Sequence, residues 1–129
     1  MVEFDGQIAW VYCHDLKATA VFYENLLGLA LWRRTDMARI YHTGHGGYIG
    51  VCRVFADRVV QPIGGMITLL TDDVDGHFTR LKSAGLPHLE TPQERPEIGI
   101  YSFFCQDPNG YTIEIQRFLT PADHTDTDP

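Results

Sequence analysis

"DLKATAVFYENLLG" (Asp15–Gly28) and "DDVDGHFTRLKSAG" (Asp72–Gly85) decide the fold between them. Each opens on Asp, whose side-chain oxygen accepts from the free amides of a helix start; in the second stretch Asp72 and Asp73 both qualify as the cap. Each ends on Gly, which takes the left-handed backbone past a helix end without a Cβ penalty. Between these punctuation marks apolar residues recur at helical spacing. Ala18, Val21, Phe22 and Leu26 form one face of the first stretch, and Val74, Phe78 and Leu81 one face of the second.

Outward from each helix the pattern switches to period two. "QIAWVYC" (Gln7–Cys13) precedes the first helix and "MITLLT" (Met66–Thr71) the second. After the first come "LALWRR" (Leu29–Arg34), "ARIYHT" (Ala38–Thr43) and "GYIGVCRV" (Gly47–Val54). After the second come "LPHLE" (Leu86–Glu90), "IGIYSFFCQ" (Ile98–Gln106) and "YTIEIQRF" (Tyr111–Phe118), the last two joined by the turn "DPNG". The chain is thus written twice as βαβββ. This is an α+β fold: a single domain over 1–119, with module one at 7–54, a connector at 55–65, module two at 66–118 and a flexible tail at 120–129. Neither half is large enough to bury a core alone. Edge-to-edge pairing gives one curved, mostly antiparallel sheet with a concave face, where a small molecule binds.

Composition narrows the function classes. A net charge of −7 lacks the basic footprint that nucleic acid demands. No apolar run approaches the roughly 20 residues that cross a bilayer, and "MVEFDGQIAWVY" has no basic-then-apolar leader pattern. Cys13, Cys52 and Cys105 are odd in number and embedded in apolar stretches, which reads as buried free thiols in a reducing cytoplasm.

The doubled pattern carries two motifs at matched places. Early stand Val11, Asp15-Leu16, Phe22-Tyr23 and Leu26-Leu27-Gly28-Leu29; late stand Asp107-Pro108-Asn109-Gly110 and Glu114. Together they resemble the vicinal oxygen chelate superfamily, the family of glyoxalase I, bleomycin-resistance proteins and extradiol dioxygenases. The resemblance implies a homodimer with cups shared or completed between protomers. It also implies metal ligands at four places. One is seven residues before the first helix cap, which is Ile8; one precedes the second cap, at Met66 or Gly65. One follows the "DPNG" glycine by four residues, which is Glu114, and its first-half echo, four after Gly47, is Val51. Only Glu114 is a metal donor. Gln7 enters only through a one-residue slip of its strand. A borderline divalent metal wants about three protein ligands, so no cofactor is expected.

The expected site is therefore a cup with Glu114 as tentative acid/base group and Trp10, Tyr12, Met66, Tyr48, Tyr101 and Phe103 as lining. An apolar wall with few polar groups is what small-molecule pockets are made of. Arg33, Arg34, Arg39 and Arg53 fall on first-half strands, where solvation is the ordinary role and neutralising Glu114 or gripping an anion the functional one. His42 and His45 read as turn residues. The leading expectation is a protein that binds a small apolar or aromatic molecule without the family's metal. The alternatives are a divalent-metal lyase, isomerase or dioxygenase of glyoxalase type, and a non-catalytic metabolite sensor or interaction module.

Overall fold

The computed structural model describes residues 3–121. The expectation for the tail falls mostly on residues 122–129, outside this range. Among the described residues eight strands form two four-stranded sheets. The first contains β1 (Gln7–Cys13), β2 (Leu31–Arg34), β3 (Ala38–Gly44) and β4 (Gly47–Arg53), in the order β1-β4-β3-β2. The second contains β5 (Met66–Leu70), β6 (Gln93–Arg95), β7 (Ile100–Gln106) and β8 (Thr112–Phe118), in the matching order β5-β8-β7-β6. β1 runs parallel to β4 and β5 parallel to β8; the other neighbours are antiparallel. The α+β duplication read from the helices is therefore present. Its strands form two separate sheets, with no ladder joining one to the other among the described residues.

α1 (Leu16–Val21) is capped by Asp15, whose carboxylate accepts from the Ala18 amide at 3.0 Å. It continues as a π-helical turn over Phe22–Leu26. The wider turn rotates Phe22, Tyr23 and Leu27 into the core. Ala18 and Val21, expected on the buried face, stay exposed, and Leu16 and Thr19 are buried instead. α2 (Val74–Ser83) is capped by Asp73 rather than Asp72, through a 3.0 Å bond from the Gly76 amide. Gly28 and Gly85 follow the two helices with φ of 75° and 79°, as the stop signals require.

Where "LPHLE" reads as a strand there is none. Pro87 supplies no amide, and His88 sits at φ 58°, which breaks an extended run. The third strand of this module forms later, at Gln93–Arg95. Glu90 still meets β7: its amide donates to the Phe104 carbonyl at 3.1 Å and its carboxylate accepts from the Phe104 amide at 3.2 Å.

One core serves both modules. Val11, Cys13, Tyr41, Ile49 and Val51 come from the first sheet, Phe103, Cys105, Ile113 and Ile115 from the second, and Leu16, Phe22, Tyr23, Leu27, Val74 and Leu81 from the helices and their ends. The helix-bearing face of each sheet thus faces this shared interior. The three cysteines are buried and free. Burial raises the Cys13 and Cys52 thiols and pushes Cys105 up to about 12, with the Asp107 carboxylate adding to the last. Among the described residues no helix is long and apolar enough to cross a membrane.

Candidate functional site

On the opposite face of the second sheet Glu114 lies in the middle of β8, only 3% exposed. The register sets Thr68 on one side of it and Phe104 on the other. The Thr68 hydroxyl donates to Glu114 Oε1 at 2.8 Å. The Gln116 side-chain amide, two residues along the same face, lies 3.0 Å from Oε1 and 3.3 Å from Oε2, and donates to both with its nitrogen turned toward the carboxylate. Around this hydrogen-bonded carboxylate is an open cavity of about 600 Å³ lined by Met66, Leu70, Ile98, Ile100, Phe104 and Phe118, with Arg95 at its side. Arg95 lies 5.1 Å from the Phe104 ring centroid and pairs with Glu90 at 2.6 Å. A buried carboxylate with donors on one side and apolar walls around it is equipped to accept a hydrogen bond or a proton from a ligand.

The expected lining divides. Met66 borders Glu114. Tyr101 and Phe103 do not, because the β7 register points them to the helix-bearing face. Phe103 is fully buried against Phe78 with centroids 5.6 Å apart, and Tyr101 donates from its hydroxyl to Asp75 on α2. Their neighbours Ile100, Ser102 and Phe104 take the open face. "IYSFFC" is apolar on both faces, so its alternation held no sign of which face was which.

Trp10, Tyr12 and Tyr48 lie on the open face of the first sheet, not beside Glu114 in the same chain. Every residue lining the Glu114 cavity falls between 66 and 118. The first sheet's face is aromatic. Trp32 stacks on Tyr48 at 4.2 Å between centroids, and His42 leans on both at 5.7 and 5.3 Å. His42 is therefore a strand residue rather than part of the turn. Trp32 follows Leu31, which pairs with the buried Tyr41, so alternation puts its ring on the open face; the register irregularity between Leu31 and Arg33 then brings Arg34 opposite Arg39. Tyr12 is turned toward the connector, where its hydroxyl accepts from Arg58 Nε at 3.2 Å. None of Arg33, Arg34, Arg39 and Arg53 lines the Glu114 cavity.

The two modules can be aligned through their capping residues. Ile8 precedes Asp15, and Met66 precedes Asp73, by seven positions. Register then makes Thr68 and Glu114 the counterparts of Trp10 and Gly50. Val51, the expected echo of Glu114, is one residue off; it pairs with Val11 and is fully buried in the core. At Gly50 a Cβ would stand 2.4 Å from Cε3 of the Trp10 indole. Where module two carries a carboxylate, module one carries an indole folded over bare backbone. Gln7 pairs with Gly47 one position out of phase with Ile8, so the strand slip that would bring it to the open face is not adopted.

The resemblance drawn from the sequence implies a divalent metal, and the donor set here does not fit one. The four corresponding positions are Ile8, Gly50, Met66 and Glu114, a single carboxylate. Among the described residues no three His, Cys, Asp or Glu side chains gather in a group able to hold a metal ion.

Comparison with known proteins agrees with this architecture. Lactoylglutathione lyase from Agrobacterium tumefaciens is 24% identical with a TM-score of 0.71, over 85% of this chain and 90% of that one. TioX from Micromonospora sp. ML1 is 24% identical with a TM-score of 0.73, over 88% of this chain and 98% of that one. A glyoxalase/bleomycin resistance protein/dioxygenase from Alicyclobacillus acidocaldarius is 21% identical with a TM-score of 0.72, over 90% of this chain and 92% of that one. At these identities the likeness shows a shared fold. No curated protein matches the chain. The sequence model of the Glyoxalase/Bleomycin resistance protein/Dioxygenase superfamily matches residues 6–115, and with its duplicated βαβββ modules the chain belongs to that superfamily.

Proposed function

We propose that this protein is a homodimeric small-molecule binder whose ligand is apolar or aromatic and carries a hydrogen-bond donor for Glu114. The observation that carries the reading is Glu114 itself: a buried carboxylate held by Thr68 and Gln116 at the floor of an open apolar cavity. Members of the superfamily often form dimers and bind small molecules. The exposed surface supports the same assembly. Met66, Leu70, Ile98 and Phe118 on the second sheet's side are 56–66% exposed, and Ile8, Trp10 and Trp32 on the first sheet 37–42%. Apolar groups so placed favour burial against a partner. In the proposed dimer the aromatic face of one protomer closes over the Glu114 face of the other. The ligand lies between an indole-and-phenol wall and a carboxylate.

With one carboxylate as donor set, binding proceeds without a metal held at the family positions. Glu114 then serves as hydrogen-bond acceptor for the ligand and, if turnover occurs, as its acid/base group. The test is titration with 2-naphthylamine and 2-naphthol, followed by tryptophan fluorescence. Quenching that saturates is expected, with Glu114→Gln weakening the amine about tenfold or more. Binding and turnover unchanged in Glu114→Gln would refute the role of the carboxylate. Light scattering tests the assembly: the wild type is expected as a dimer, Trp10→Glu and Phe118→Glu as monomers. A monomeric wild type would overturn the closed cup.

A further inference from the structure

We propose a second binding site, for a phosphate group, in the cleft between α1 and the β2–β3–β4 edge of the first sheet. This cavity, about 920 Å³, is separate from the Glu114 face and lies on the helix-bearing side of module one. Its basic groups are Lys17, Arg34, Arg39 and Arg53. Arg34 and Arg39 are directly opposite each other in the β2–β3 ladder, and Arg39 is opposite Val51, two residues before Arg53 on the same side of β4. Like charges facing each other across a ladder are destabilising unless something neutralises them. Among the described residues the two ion pairs are Arg58–Asp57 and Arg95–Glu90, so none of the described carboxylates lies within 4.0 Å of these three arginines as a partner.

The acids lining the cleft do not fill that role. Asp15 caps α1 through the Ala18 amide at 3.0 Å, and Glu24 accepts from the Tyr41 hydroxyl at 2.8 Å. Asp36 is the remaining acid, in the β2–β3 turn. Arg39 is also pre-positioned. Its Nη1 donates to the Thr35 carbonyl at 2.7 Å and to the Ala38 carbonyl at 3.0 Å, which restrains the guanidinium of a residue that lines the cleft. Planar guanidinium forks match the oxygens of phosphate in pairs. Three unpaired guanidinium groups suit a dianion better than a monoanionic carboxylate. In a chain of net charge −7, the cleft sets four cationic side chains, Lys17, Arg34, Arg39 and Arg53, against three carboxylates, Asp15, Glu24 and Asp36.

Isothermal titration of the full chain with inorganic phosphate, phenyl phosphate and acetate, at matched ionic strength, tests the site. Saturable binding of one phosphate per chain is expected, with acetate much weaker. Arg34→Gln and Arg39→Gln should each weaken it about tenfold or more, whereas Arg117→Gln, which stacks on Tyr101 elsewhere, leaves it unchanged. Phenyl phosphate binding more tightly than inorganic phosphate identifies a phosphomonoester as the ligand; equal affinity identifies free phosphate. Without anion, Arg34→Gln should unfold at the same or a higher denaturant concentration than wild type, because it removes a like-charge contact. No saturable heat, acetate equal to phosphate, undiminished binding in Arg34→Gln, or a marked loss of anion-free stability in that variant overturns the proposal.

Discussion

The hydroxyl of Tyr23 donates to Oδ2 of Asp107 at 2.8 Å, joining residues 84 positions apart and one module to the other. Asp107 also organises its own turn: Oδ1 accepts from the amides of Asn109 at 2.8 Å and Tyr111 at 3.0 Å. Asn109 in turn donates to Thr19 Oγ1 at 3.1 Å. The two sequence motifs of the superfamily therefore meet physically. Their role in this chain is to lock the β7–β8 turn onto α1 and its π-helical end, which fixes β8 and with it Glu114.

Tyr23→Phe should cost about 1.5–3 kcal/mol, the range for a hydrogen bond to a charged group. The urea midpoint falls while the slope holds, because the same surface is exposed on unfolding. A midpoint equal to wild type would show that the modules are held by apolar packing alone.

Alkali should destabilise the fold in a predictable window. Burial pushes Cys105 up from 9.0 to about 12, and burial with the nearby carboxylates of Asp107 and Glu24 raises Tyr23 and Tyr41. These groups are raised in the folded state, so their contribution is complete below the unfolded pKa and is lost as pH climbs. The unfolded thiol starts to release its proton near about pH 8.5 and the unfolded phenols near about pH 10. Urea midpoints should hold to about pH 8 and fall beyond it, less steeply at first in Cys105→Ala. A midpoint that rises between about pH 9 and about pH 10 would contradict this sign.

Gly50→Ala sets a methyl 2.4 Å from the Trp10 ring, so the indole must move. A loss of about 1–3 kcal/mol is expected, with a shift in tryptophan emission. Pairing it with Trp10→Ala should recover most of that loss, as residues in contact do not add. Additive losses would place the strain in the backbone instead.

Thr68→Val removes a donor from a buried carboxylate and should lower stability by about 1–3 kcal/mol. Adding Glu114→Leu to Thr68→Val should restore much of it, because the pair is then apolar together. The measurement is a double-mutant cycle by urea denaturation; zero coupling would mean that Thr68 does not support Glu114.

Extended dialysis against EDTA should leave the affinity for 2-naphthylamine unchanged, since the donor set at the family positions is a single carboxylate. Binding lost on chelation and restored by Zn, Ni, Fe or Mn would reinstate the metal-dependent alternative.

Sequence alone determined the duplicated order of helix and strands. Asp15, Gly28 and Gly85 are read by local backbone chemistry, and the helical and strand periods between the punctuation marks need no distant contact, whereas the choice of Asp73 over Asp72 and the division into two sheets came from the tertiary structure. Sequence also singled out Glu114, through the resemblance that puts a ligand position four residues after the turn glycine. What only the tertiary structure decided depends on register and on which face is covered. Phe104 rather than Phe103 faces Glu114, because a strand apolar on both sides has no readable phase. Gly50 rather than Val51 is the counterpart of Glu114, because the glycines of the first hairpin hide its offset by one. The Arg34–Arg39 juxtaposition exists only once β2 and β3 are laid in register past an irregularity at Trp32. Pairing and packing of this kind are free-energy choices among the whole chain's surfaces, and no short stretch contains them.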